Sequence, residues 1–376
     1  MRLLFCLGTS VLLFLVALLA IVPAPANFLF LFALLATEEG QALALICLCA
    51  VPFVWSGTWS GHIAAVLCLA AALIALTPLF RATNVARTLP QDISKVFGHR
   101  KPERPPLVAL DLLRGLPLPS VKPQLIKYKS AGGPELEMDF YSAQTPAPSP
   151  VIIAIHGGAW NSGDNKKFTS MDRFFAARGF AVADVLYRLA PQSPFPAASI
   201  DIHAAMDALR ERADTLHIDP DRFVLLGRSA GGQIALHVAY TANDPRIRGV
   251  VSLYGPTDMI QSWEHPGNPW VIDMKAVLTD YLGGSPSQFP EQYTEASPIR
   301  LANPSSPPTL LLHGRRDEFI SAYHSLSLAR RLTELGVANL NIPLPWATHA
   351  FDYFISSPGG QISTYAIETF LNCVLK

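Results

Sequence analysis

Gly227-Arg228-Ser229-Ala230-Gly231-Gly232 is the stretch on which the reading of this 376-residue chain turns. The residues before it, Arg222-Phe223-Val224-Leu225-Leu226, form a short apolar run bounded by Asp219-Pro220-Asp221 and by Gly227, the pattern of a buried strand. Those after it, Gln233-Ile234-Ala235-Leu236-His237-Val238-Ala239, read as a helix whose N-terminus lies at the serine. A Gly-x-Ser-x-Gly held between strand and helix puts the serine on a sharp, strained turn. The glycines two residues to either side relieve the crowding. Small residues are common, so the pattern alone means little; the strand and helix around it give it weight.

Two further stretches fit the same chemistry. His156-Gly157-Gly158-Ala159-Trp160 follows Val151-Ile152-Ile153-Ala154-Ile155, another buried-strand pattern. A tetrahedral acyl intermediate carries a negative oxygen, which backbone N–H groups stabilise. Gly157 opens a turn in which the N–H groups of Gly158 and Ala159 are candidates for that task, beside the N–H of Ala230. Near the C-terminus, Asp317 ends Leu312-His313-Gly314-Arg315-Arg316, and His349 lies in Trp346-Ala347-Thr348-His349-Ala350-Phe351. Ser229, Asp317 and His349 run in the chain order that the α/β-hydrolase fold uses for nucleophile, acid and base. Glu318 is adjacent to Asp317 and is its main rival, with Asp258 and Asp273 weaker ones. His313, inside a strand, and His324, in a helix, read as structural.

HGGAW and GRSAGG, with YRLAP (187–191), PFPAA (194–198), YGPTD (254–258) and the late Asp and His, resemble the hormone-sensitive-lipase-like esterases. The HGG-x-W form, with Trp160, is closer still to the branch holding bacterial feruloyl-esterase-like hydrolases, kynurenine formamidases and isoprenylcysteine methylesterases. The resemblance covers about residues 124–376. It implies an α/β-hydrolase catalytic domain, a serine carboxylic-ester hydrolase and no cofactor. One departure is Ala159, where the usual HGGG has a third glycine; alanine keeps the N–H but narrows the adjoining space. A formamidase or acyltransferase on the same fold stays open, as does an inactive binding protein. The intact set of three groups argues against the last.

The rest of the domain alternates as an α/β sheet requires. Strands are expected at 124–129, 136–142, 180–187, 248–253, 309–313 and 339–343, and helices near 168–178, 197–215, 323–335 and 362–371. Between them, 257–298 reads as an irregular insertion leaving a strand's C-terminal end, where open α/β folds bind ligands. Its Trp263, Trp270 and Phe289 suggest a cap over an apolar pocket.

Composition divides the chain. Residues 1–80 hold three formal charges, Arg2, Glu38 and Glu39, against 58 in the whole protein, and read as a transmembrane helical region. Residues 3–22 form an apolar run long enough to cross a bilayer, with 42–55 and 63–80 as further apolar stretches and 28–36 too short to cross alone. A cleaved signal peptide is the rival for the first segment, given Arg2 and Ala24-Pro25-Ala26, yet the later stretches would still need a membrane. Buried soluble helices are the other rival, and 80 residues this apolar would overfill a soluble layer. Residues 81–123 read as a proline-rich linker, with 107–116 suited to a short amphipathic helix, on the membrane, over the site or packed on the domain. Arg81, Arg87, Lys95, Arg100, Lys101 and Arg104 follow the last apolar stretch. The positive-inside rule therefore expects a multi-pass protein with its catalytic domain on the cytoplasmic face.

Other chemistry finds little support. There is no Gly-x-x-x-x-Gly-Lys loop, no Gly-x-Gly-x-x-Gly and no His-x-x-x-His pair, so no metal or cofactor site is expected. Of five cysteines, four fall in the apolar segments and Cys373 stands alone, which makes no disulfide framework. A net charge of zero argues against nucleic acid. The expected partners are a small apolar ester and the lipid bilayer.

Overall fold

The computed structural model describes residues 2–100, 104–130, 132–145 and 148–375; Lys101 and Pro102 of the expected linker lie outside them. Six helices come first: α1 (Arg2–Leu18), α2 (Asn27–Glu38), α3 (Gly40–Val54), α4 (Trp59–Ala75), α5 (Thr77–Phe97) and α6 (Ala109–Arg114). Then follow β1 (Gln124–Lys129), β2 (Glu135–Tyr141), β3 (Ser149–Ile155), α7 (Thr169–Ala176), β4 (Ala181–Val185), α8 (Ala197–Glu211), α9 (Ala213–Leu216), β5 (Ile218–Arg228) and α10 (Ala230–Thr241). The chain closes with β6 (Ile247–Leu253), α11 (Met259–Glu264), α12 (Met274–Leu282), α13 (Pro290–Glu295), α14 (Pro298–Leu301), β7 (Thr309–Gly314), α15 (Tyr323–Glu334), β8 (Asn339–Leu344) and α16 (Pro358–Val374).

The eight strands form one sheet in the order β1-β2-β4-β3-β5-β6-β7-β8. The β1–β2 and β2–β4 pairs are antiparallel and the remainder parallel, the α/β-hydrolase arrangement. β3 and β5 are the sheet's centre. They are buried on both faces, as their continuous apolar sequences require, and their C-terminal ends carry the His156–Trp160 turn and Ser229. Residues 257–298, expected to be irregular, hold three short helices, α11, α12 and α13, joined by irregular chain. Asp258 and Asp273 cap two of these helices, each accepting from backbone N–H groups of the first turn.

The N-terminal part departs further from expectation. The run 3–22 does not continue as one helix: α1 ends at Leu18 and is 17 residues long, somewhat short of the about 20 that a full crossing takes. Among the described residues one helix is long and apolar enough to cross a bilayer, since α4 runs on into α5 as a 39-residue unit, Trp59–Phe97. α2 and α3 meet that condition only jointly, and they are bent by 86°. α1, α3 and α4 pack side by side through small residues, Ala17, Ala44, Cys47, Ala71, Ala72 and Ala75, which let the backbones come close. The start of α3 meets the end of α4, where a Cβ on Gly40 would strike the Ala75 carbonyl. The far end is closed by Trp55 against His62, with ring centroids 5.0 Å apart. The outside of this bundle exposes Phe5, Leu12, Leu45, Val66, Leu69 and Leu73.

Residues 81–97, read above as linker, belong to a helix. Pro78 lies in the first turn, where the missing N–H costs nothing, and Ala82, Leu89 and Ile93 of α5 are buried with Phe370 and Leu371 of α16. α6 is confined to six residues. The segment holding it is tied to the domain at both ends, Val108 N–H donating to Gln361 Oε1 (2.7 Å) and Leu116 N–H to Ser356 Oγ (2.7 Å), while Leu110 and Leu113 face outward.

The α2–α3 corner is set into the sheet domain by Glu38, which is fully buried. Its carboxylate accepts from Trp346 Nε1 (3.1 Å), Ser357 Oγ (2.9 Å) and Gly359 N–H (2.8 Å). Glu38→Ala strands three buried donors at about 1–3 kcal/mol each, so we expect it to destabilise the protein by at least about 3 kcal/mol. Glu38→Gln, which keeps an acceptor, should lose less. Thermal unfolding of the detergent-solubilised protein checks this, and an unchanged midpoint for Glu38→Ala would show that the corner is not held there.

Candidate active site

Ser229 stands between β5 and α10 with φ +53° and ψ −122°, a backbone conformation that costs energy for a non-glycine residue. Close backbone packing imposes it. A Cβ on Gly231 would collide with the carbonyl oxygens of Ile155 and His156, so the start of α10 lies directly on the end of β3. Gly157 meets the other side of the turn: a Cβ there would lie 2.9 Å from the Arg228 carbonyl oxygen and 3.0 Å from Ser229 Cβ. The strained serine and the glycine turn are thereby fixed against each other.

Three side chains from three loops converge. Ser229 Oγ is 3.0 Å from His349 Nε2, and His349 Nδ1 is 2.7 Å from Asp317 Oδ2. With Nδ1–H donated to the carboxylate, Nε2 is left to accept the serine proton. Asp317 is fully buried. Burial would raise its carboxyl, but His349 and His313 beside it hold it well below the usual carboxylate range. Phe319 and Ile320 N–H both donate to Oδ1 (2.8 Å each), which fixes the carboxylate plane.

The rivals are otherwise engaged. Glu318 takes Ala24 N–H (3.0 Å) on one oxygen and the Thr348 hydroxyl on the other. His324 accepts from Thr257 N–H (3.2 Å), and burial pushes its imidazole down to about 3. His313 fits its structural reading through Ser325 Oγ (2.6 Å) and the Ile320 carbonyl (3.0 Å), yet it also lies 3.4 Å from Asp317 Oδ2, a contact its strand position did not suggest.

Gly157, Gly158, Ala159 and Ala230 line the cavity over Ser229. Ala159 and Trp160 both have positive φ (+52° and +58°), which turns the chain sharply after β3. His156 supports this turn: its ring stacks on Tyr187 (4.3 Å), whose hydroxyl donates to the His156 carbonyl (2.9 Å). Burial lowers the His156 pKa, so it stays a neutral scaffold. Trp160 stacks on Tyr281 of α12 (4.4 Å), and both donate to Gln233 Oε1, joining the turn to the insertion.

Several site residues escaped the sequence reading. Arg228, the residue before the serine, is buried and pairs with Asp352 (2.6 Å), which also accepts from Tyr254 (2.5 Å). Tyr254 in turn lies against the His349 ring (4.5 Å). The spacing of Asp352 just after His349 was the available signal. The cavity measures about 300 Å³ and is lined mainly by apolar groups. The insertion contributes Ile272, Met274 and Val277 to it, not the expected Trp263, Trp270 and Phe289; Trp270 is 79% exposed. Phe30, from α2, is also in the lining. Among the described residues no cluster of His, Cys, Asp and Glu is arranged to hold a metal ion.

The chain is similar to known carboxylic ester hydrolases. Esterase LipC of Mycobacterium tuberculosis is 30% identical over 247 residues, which are 60% of this chain and 59% of that protein. The probable carboxylic ester hydrolase LipM of the same organism is 26% identical over 238 residues, 59% of this chain and 54% of that one. The chain thus matches three-fifths or less of the length of these relatives. A solved bacterial heroin esterase superposes with a TM-score of 0.60 at 25% identity, covering 69% of this chain and 87% of that one. The BD-FAE family model matches residues 138–332, from β2 to α15, and the chain belongs to that family of α/β-hydrolases.

Proposed function

We propose that the protein is a membrane-associated serine esterase acting on small apolar carboxylic esters. The observation that carries this reading is the continuous line from Ser229 Oγ through His349 to the buried Asp317, at 3.0 and 2.7 Å. Ser229 Oγ attacks the ester carbonyl while His349 Nε2 takes its proton. The tetrahedral oxygen is met by the N–H groups of Gly158, Ala159 and Ala230, with Gly157 holding the turn against the serine. His349 then gives the proton to the leaving alcohol, and water attacks the acyl-enzyme by the same route in reverse. Asp317 fixes the imidazole tautomer and stabilises the imidazolium. The cycle uses no cofactor.

Membrane association rests on the exposed apolar surface of α1, α3 and α4, which far exceeds the scattered apolar residues of a soluble surface. α4, continued by α5, is the one described helix long and apolar enough to cross alone, and the shorter α1 and α3 would cross beside it only as parts of the packed bundle. Arg316 donates to the Leu19 and Ala20 carbonyls, so α1 ends at the catalytic domain; α3 leaves from that side and α4 returns to it. Residue 2 then lies on the opposite side from the domain. Arg81, Arg87, Lys95, Arg100 and Arg104 follow α4, so the positive-inside rule puts the domain in the cytoplasm.

Ser229→Ala should abolish labelling by a fluorophosphonate probe and lower kcat by at least about 10⁴, with the thermal midpoint unchanged. His349→Ala should cost nearly as much, and Asp317→Asn about 10⁴ through the wrong tautomer. Undiminished turnover of p-nitrophenyl acetate by Ser229→Ala would remove the central claim. In a p-nitrophenyl series from acetate to palmitate, kcat/KM should rise up to about fourfold per carbon and stop at a short chain, because the cavity is small. A rise continuing to palmitate would exclude the small-ester reading, and a flat series the apolar pocket. Sidedness is tested by protease treatment of spheroplasts, in which the catalytic domain should survive; its digestion from outside would reverse the orientation.

A further inference from the structure

The cavity is not closed by the catalytic domain alone. Phe30 of α2 lines it, together with Phe319, Ile320, Ile272, Met274 and Val277. The Phe30 ring meets Phe319 edge-on at 4.8 Å, and Phe319 stacks on the His349 imidazole at 4.9 Å. The segment that delivers Phe30 is fastened to the two loops bordering the cavity. Asn27 N–H donates to the Trp270 carbonyl (2.9 Å) and Asn27 Nδ2 to the Val271 carbonyl (3.0 Å), while Asn268 Nδ2 donates to the Pro25 carbonyl (2.9 Å). Ala24 N–H and Arg316 hold the preceding turn to the loop that carries Asp317. At its other end α2 is fixed by buried Glu38. A helix clamped at both ends places one large, rigid side chain at a set point of the pocket, whereas its neighbours Phe28 and Leu31 are exposed.

We propose that Phe30 is a specificity-determining residue of the esterase, an end wall of the substrate pocket supplied by the N-terminal helices, and that it sets the length of the apolar arm the site accepts. The inference rests on the ester-hydrolase reading above. Phe30 is only partly buried, so the space beyond it opens toward the exposed apolar surface of α2. Replacing it with a small residue extends the pocket in that direction, and the added room takes further methylenes of an acyl or alcohol chain.

The test uses the full chain in detergent, with active sites titrated by fluorophosphonate so that misfolded protein does not count. Two ester series are measured, p-nitrophenyl acylates and straight-chain alkyl acetates. In Phe30→Ala the point at which kcat/KM stops rising should move outward by at least two carbons in one series. The ratio of efficiencies for the longer over the shorter ester should rise about tenfold, through KM. Phe30→Trp should move the same point inward. Were Phe30 only a prop for His349 through Phe319, both variants would lower kcat for every ester by one common factor and leave the ratio fixed. That result, or no change at all, overturns the proposal while leaving the esterase reading intact. Absence of both turnover and labelling in the unsubstituted protein would remove the two together.

Discussion

The contact between the start of α10 and the end of β3 is the constraint from which the site follows. Neither Gly231 nor Gly157 has room for a side chain, because each faces backbone of the other segment. That closeness drives Ser229 into its strained conformation and brings the Gly157–Ala159 turn over the serine in the same step. The strain is sustained by the sheet: β3 and β5 are adjacent, parallel and buried on both faces, so their C-terminal ends have no freedom to separate. The proposed nucleophile and the groups that would meet the developing oxyanion are thus products of one packing event.

His349 and Asp317, the base and the acid of the proposed triad, come from elsewhere and are held differently. His349 and Asp317 lie on loops after β8 and β7, the other half of the parallel sheet. Loops need external support, and much of it comes from the N-terminal region. The turn after α1 is bonded to Arg316 and Glu318 on either side of Asp317. Glu38 holds Trp346 three residues before His349. A region that composition marks as a simple membrane segment is therefore also part of the scaffold of the site. Its loss would remove these contacts to the loops carrying Asp317 and His349 while sparing the β3–α10 packing around Ser229.

This division explains what could be read from the sequence. The Ser229 turn and the Gly157–Ala159 turn are local, each a strand followed by small residues, and one-dimensional patterns suffice to find them. His349 and Asp317 were legible by chain order, since the fold uses the C-terminal ends of successive strands. Phe30 was not legible, because among 80 residues with three charges an aromatic facing a pocket looks like one facing lipid. Glu38 had a signal, a lone acidic pair in an apolar stretch, but its partners are some 300 residues away. The helix α5 was hidden by the proline count of the segment. Its stripe of Ala82, Val85, Leu89 and Ile93, at helical spacing, was the better guide, since of the segment's prolines only Pro90 falls within the helix and the rest lie beyond it, from 102 to 123.

Continuity of α4 with α5 carries the argument from the fold to the membrane. A flexible linker would let the domain sample many orientations at the bilayer. Given the proposed membrane association, a helix that continues from the apolar bundle onto α16, with Ala82, Leu89 and Ile93 buried there, would hold it to one. The same orientation sets α2 across the cavity, with Phe28 and Leu31 outward and Phe30 inward. An ester dissolved in the bilayer would then meet the pocket from its apolar side, already partly stripped of water. Much of the desolvation that binding requires has by then been supplied by partition into lipid. In the proposed reaction the sheet domain would then have only to align the carbonyl with Ser229, which a mainly apolar cavity of about 300 Å³ that also reaches Ser229 and His349 is suited to do.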